Sequence, residues 1–160
     1  MRFSLTADQF DLRDAARSLL AERASLGASR ALTDAGRPYD AATWRELVEM
    51  GVVTVDLPEA MGGTGLGTVE LAVVMEVAGS VLYSGPLMST CGFAAGLLGG
   101  DDVSTQLGHR LADGMVIAAV VPGQPRGWHA DTVIMAAQQS ASGWRLRRGR
   151  APFPLAASGR

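Results

Sequence analysis

The chain has 160 residues, 48% of them hydrophobic and 19% charged, which is ample for a packed core and excludes a disordered segment. Its formal net charge of −2 gives no overall attraction to nucleic acid, and no apolar run is long enough to span a bilayer. A single cysteine, Cys91, excludes a disulfide framework and a cysteine-built metal site.

The opening "MRFSLTADQF" has no apolar run behind a basic start, so it does not read as a signal peptide, and a cytoplasmic location is expected. Thr6 and Gln9 fit a capping box, with Leu5 and Phe10 placed as its hydrophobic staple. Phe10, Ala16, Leu19 and Leu20 then recur at helical spacing, and Asp8, Asp11 and Asp14 favour the helix's N-terminal half. The stretch "ASLGASRALTDAGRP" reads as a polar link. Asp40 then caps a second helix with Trp44, Leu47 and Val48 on one face, and Gly51 ends it.

A short strand-like run, "VVTVDL", leads into the glycine-rich "PEAMGGTGLG". Thr68 is placed to cap the next helix, whose buried stripe is Leu71, Val74, Met75 and Ala78. Pro86 suits the first turn of a nearly all-apolar, central helix over 86–98. Asp101 or Asp102 starts one more helix, ending near Ala112–Gly114. From Met115 the period changes: "MVIAAVV", "TVIMAAQ" and "GWRLRRG" are short, bounded by turn residues, and predict strands. Helices come first and strands second, so the fold class is α+β: a helical bundle over 1–114, then the start of an antiparallel β unit over 115–160. Charge divides similarly. Residues 1–120 carry 8 Arg against 15 acids, and residues 121–160 carry 6 Arg against Asp131 alone. All basic residues but the histidines are Arg, a coding bias rather than chemistry.

The glycines at 62, 63, 65 and 67 raise two readings, a phosphate cradle and a tight turn between packed helices. A dinucleotide fingerprint needs G-x-G-x-x-G directly after a buried strand; here the spacing is G-x-G-x-G, Pro58 and Glu59 intervene, and no Lys exists for a P-loop. A turn using positive φ is the stronger reading. His109 and His129 lack partners at ligand spacing, so no metal site is assigned. Trp44 and Trp144 are expected in the core and Trp128 in a turn, while Cys91 is expected to be a buried, inert thiol.

The run "MGVVTVDLPEAMGGTGLGTVELAVVMEVAG" resembles the N-terminal helical domain of the acyl-CoA dehydrogenases. The matching motifs are Met50–Gly51, Pro58–Glu59, Gly62–Gly63–x–Gly65, Glu70 and Glu76–Val77–Ala78–Gly79. "FSLTADQFDLRDAARSLLAER" resembles the family's first helix, and "ADG" at 112–114 its passage into a β domain. The resemblance implies an FAD enzyme that oxidises the α,β bond of an acyl-CoA thioester, with the glycine turn orienting helices that wall the acyl pocket. Leu87, Ser89, Thr90 and Phe93 would then line the acyl cavity. Val120, Val121, Phe153 and Leu155 would stand where the family meets the flavin.

Departures accompany the match. The family's catalytic Glu lies in a C-terminal helical domain beyond the stretch that ends at Arg160, so no residue here is assigned catalysis; Glu70 and Glu76 are expected to be structural. Val120–Val121–Pro122–Gly123 stands where a T-E-P-type loop is usual, and Phe153–Pro154–Leu155 keeps an aromatic surface without the following hydroxyl. These substitutions resemble the divergent actinobacterial dehydrogenases of sterol breakdown, some of them heteromeric. Two functions are expected to compete: part of an FAD-dependent acyl-CoA dehydrogenase, and a non-catalytic subunit packed on a complete one. Either implies a homo- or hetero-oligomer.

Overall fold

The computed structural model describes residues 4–120, 135–140 and 143–148. The chain divides into two units, Met1–Val120 and Val121–Arg160.

The first unit is helical. Helix α1, Ala7–Arg23, begins at the expected capping box, in which Gln9 N–H donates to Thr6 Oγ1 and Gln9 Oε1 accepts from Thr6 N–H. Helix α2 spans Leu26–Asp34 and helix α3 spans Ala41–Glu49; Asp40 caps α3 by accepting from Thr43 N–H. Two 3₁₀ turns, Val52–Thr54 and Glu59–Met61, lead through the glycine turn to helix α4, Thr68–Ser80. A π-helical segment, Met88–Ala94, runs into a 3₁₀ turn at Ala95–Leu97, and helix α5 follows over Asp102–Ala112. Gly114, at φ 68°, then ends the helix: its N–H donates to Leu111 O, and Met115 N–H donates to Arg110 O.

Helix α1 packs on α4, and a main core gathers Ala16 and Leu20 of α1, Trp44 and Leu47 of α3, and Leu71, Val74, Val77 and Ala78 of α4. A smaller core joins Leu57, Met61, Ala95 and Leu111, with Val116 and Ala118 packed against it. The second unit holds an antiparallel hairpin of β1, Met135–Ser140, and β2, Gly143–Arg148, in which Gln139 faces Trp144 and Gln138 faces Arg145. A mostly helical chain with a small antiparallel sheet near its C-terminal end is the expected fold class.

Several local expectations need correction. The polar link contains α2, because Ser25 accepts from Ala28 N–H and so starts a helix. "VVTVDL" is no strand: Val52, Val53, Thr54 and Val55 are consecutively buried around a 3₁₀ turn, and an unbroken apolar run cannot distinguish the two by period. Thr68 does not cap α4; Glu70 does, from inside the helix, by accepting from Gly67 N–H. Phe10 lies half-exposed under the Arg13 guanidinium, 4.7 Å from it. Residues 115–120, expected as a strand, have no regular secondary structure and lie in no ladder among the described residues. Trp144 is 67% exposed and not core, while Trp44 is buried as expected; Trp128 and His129 lie outside the described residues.

Candidate functional site

The glycine turn is closed upon itself. Gly62 and Gly65 have φ values of 81° and 67°, which L side chains seldom adopt. A Cβ on Gly63 would collide with the Leu57 carbonyl, and one on Gly108 of α5 would sit 2.7 Å from Met61 Cβ. The loop's amides from Met61 to Gly65, and that of Gly67, are already committed. Gly62 N–H donates to Glu59 O (2.9 Å), Gly63 N–H to Pro58 O (3.1 Å), Thr64 N–H to Thr54 O (3.2 Å) and Gly65 N–H to Leu57 O (2.9 Å). Gly67 N–H goes to Glu70 Oε2 (2.9 Å), and the Thr64 hydroxyl to Val55 O (2.9 Å). A phosphate cradle needs free, converging amides, and these are spent on holding two 3₁₀ turns and a helix start together.

Glu70 is part of that structure. Its Oε1 accepts from Gln9 Nε2 at 2.7 Å, tying the start of α1 to the start of α4. The Gln9 bond, ahead of the backbone bonds, holds its carboxyl below the usual carboxylate range. Both of its oxygens are thus engaged in structural bonds. Glu76 is exposed on α4.

The π segment has two sides. Its inner side buries Thr90 and Cys91, flanked by buried Leu87 and Ala95. Its outer side leaves Met88 at 61% and Phe93 at 55% exposure, with Leu97 at 70% just beyond. The i→i+5 pattern, in which Ala95 N–H donates to Thr90 O, makes a wide turn of the kind often found at functional sites. Of the four residues expected to line the acyl cavity, Phe93 is open, Ser89 is half-buried with its hydroxyl donating to Pro86 O (3.0 Å), and Leu87 and Thr90 are enclosed. The four share one segment but not one face. Met88 and Leu97 belong to the exposed side with Phe93, and an apolar run without alternation gave no means of choosing among them.

Behind the segment lies a buried polar group that sequence reading passed over. Asp56 Oδ1 is out of water and without a hydrogen-bond partner, and burial pushes its carboxyl up. Burial, then the nearby Asp56 charge, pushes the Cys91 thiol to about 12, so it stays protonated and inert as expected. Burial likewise raises Tyr83 to about 12, and its hydroxyl also lacks a partner. The signal for Asp56 was one acid between two apolar residues, Val55 and Leu57, in a run too short to reveal its depth.

Among the expected flavin contacts, Val120 is described: it is partly exposed, at the end of the 115–120 segment, and carries no side-chain donor. Val121, Phe153 and Leu155 lie outside the described residues. With the glycine-turn amides committed and one apolar contact residue, the described residues do not by themselves fit a flavin. No grouping of His, Cys, Asp or Glu among the described residues suits a metal ion, and no helix among them is long and apolar enough to cross a membrane.

Known proteins share this arrangement. The family model for the acyl-CoA dehydrogenase N-terminal domain matches residues 6–112. The chain is 32% identical over 137 residues to Acyl-CoA dehydrogenase IpdE2 of Mycobacterium tuberculosis, covering 83% of this chain and 43% of that protein. The ChsE4-ChsE5 complex from Mycobacterium tuberculosis superposes with a TM-score of 0.76 at 25% identity, over 91% of this chain and 40% of that one. A variant of the Tcur3481-Tcur3483 steroid ACAD gives 0.72 at 30% identity, over 87% and 39%. The chain thus spans less than half the length of these relatives. Because the matched stretch takes in α1 through α5, the glycine turn and the π segment, the chain belongs to the acyl-CoA dehydrogenase family.

Proposed function

We propose that the chain supplies the helical framework of an FAD-dependent acyl-CoA dehydrogenase, one that oxidises the α,β bond of a steroid-type acyl-CoA. Residues 1–114 serve as the helical domain and 115–160 as the start of the β domain. The observation that carries this reading is the family match over residues 6–112, supported by identity to a dehydrogenase and to a steroid ACAD. Phe93, with Met88 and Leu97, gives an open apolar surface suited to an acyl chain, and Leu87 and Thr90 back it from inside. Neither Glu70, tied at both oxygens, nor Asp56, with one oxygen buried and unpartnered, is assigned the role of catalytic base. A bound FAD would supply the redox chemistry; this chain's residues would shape the surface and exclude water.

A second reading is a non-catalytic subunit held against a complete dehydrogenase. It is favoured by the similarity to chains from two-component structures, ChsE4-ChsE5 and Tcur3481-Tcur3483. Sequencing the gene through codon 160 and beyond separates the two. An in-frame continuation into a helical bundle bearing a Glu supports the first; a stop, together with co-elution with a complete dehydrogenase, supports the second.

A further inference from the structure

We propose that Thr90 is a positioning residue whose hydroxyl takes the place of a neighbouring strand at Ala118 and so fixes where the chain leaves the helical unit, two residues before Val120. Thr90 is fully buried on the inner side of the π segment. Its Oγ1 donates to Ala118 O at 3.0 Å and accepts from Ala118 N–H at 3.3 Å, across 28 positions of sequence. One side chain therefore meets both main-chain groups of one residue, as the opposite residue of an antiparallel ladder would.

The surroundings support that role. Exposure alternates along the segment, with Met115, Ile117 and Ala119 outward and Val116 and Ala118 inward, which is the pattern of a strand lying on a core. Several other helical hydroxyls among the described residues bond locally: Thr33 to Ser29 O, Ser89 to Pro86 O and Thr105 to Asp101 O. Thr90 does not. Its carbonyl is taken by Ala95 N–H and its own N–H by Pro86 O, which leaves the hydroxyl free to reach out of the helix. A valine would fill the same buried volume without needing a partner, so the hydroxyl at this position serves the bond rather than the packing.

On the functional reading above, Val120 begins the stretch that meets the flavin, so the latch would also set where that stretch starts. The test does not need flavin. In the full 160-residue chain, amide hydrogen exchange should show Ala118 N–H exchanging about tenfold faster in Thr90→Val, with Leu20 and Val74 unchanged, and Thr90→Ser restoring protection. Thermolysin cleavage within 115–120 should accelerate by about the same factor in Thr90→Val and not in Thr90→Ser. If Thr90→Val fails to fold, Thr90→Cys keeps the bulk with a feeble hydrogen-bonding group and carries the same expectation. Equal Ala118 exchange in wild type and the hydroxyl-free variant, or loss of protection in Thr90→Ser as well, would overturn the latch. A flavin band that the chain retains and that bleaches with an acyl-CoA, with the exchange result intact, would count against the functional reading alone.

Discussion

The glycine turn and the π segment lie within forty residues of each other and are built on opposite rules. In the turn, every loop amide from Gly62 to Gly65 has an internal acceptor, and backbone passes so close to backbone that a single Cβ on Gly63 cannot fit. In the π segment, large apolar side chains face outward, and an added Cβ on Gly96, in the 3₁₀ turn that follows, would meet nothing within 4 Å. The first region is finished by its own contacts. The second is a surface that becomes useful when something is laid against it. A short glycine-rich motif can thus be fully bonded within itself, while an apolar helical segment is left open.

The sharpest way to break this contrast is a pair of substitutions. Gly63→Ala should cost about 3 kcal/mol or more, since the new methyl collides with the Leu57 carbonyl and backbone must move. Gly96→Ala should lie within about 0.5 kcal/mol of wild type, where there is open space and Ala is the better helix former. Urea denaturation reads both, and equal costs would erase the distinction.

Glu70→Ala comes next, at about 1.5 kcal/mol, through loss of the Gly67 cap and the Gln9 tie. Its carboxyl is held below the ordinary range, so its contribution is present above the unfolded-state pKa and is lost as pH falls through the depressed folded value. The gap between variant and wild type should therefore narrow on acidification below the ordinary carboxylate range.

Asp56 has the opposite sign. Burial raises its carboxyl, so the folded state favours the protonated form, and stability present below the unfolded pKa is lost as pH rises through the folded one. Asp56→Asn should stabilise the chain at pH 7, by at most about 1 kcal/mol since solvent screens a half-buried carboxylate, and by less near pH 4. A variant less stable at pH 7 would show that the carboxylate has an unseen partner. Smallest in stability is the pair Phe93→Ser and Leu97→Ser, each within about 0.5 kcal/mol, because both side chains are already in water. Their effect should appear instead as reduced self-association in sedimentation.

Much of the helical unit was legible in the sequence because its signals are local. Thr6 with Gln9, Asp40 before Thr43, Asp101 before Ser104, and glycines at 51 and 114 each state a cap or stop within four residues. What could not be read depends on distance. Gln9 meets Glu70 across 61 positions and Thr90 meets Ala118 across 28, and no spacing rule announces either. Thr90 was expected among residues lining an acyl cavity; the structure gives its hydroxyl a backbone partner. The 86–98 run was apolar enough to predict a helix, but its π pitch, and hence which residues face out, comes from packing rather than composition. Ser25 was hidden by the glycine and alanine around it, which disguised α2 as a link.

On the proposed function, these residues provide an acyl-CoA dehydrogenase framework without holding the flavin chemistry themselves. The most direct test is the visible spectrum of the 160-residue chain after incubation with FAD and desalting, followed by addition of a steroid-type acyl-CoA with an electron acceptor. The expected result is a colourless protein and no acceptor reduction. A retained flavin band that bleaches when the acyl-CoA is added would contradict the account.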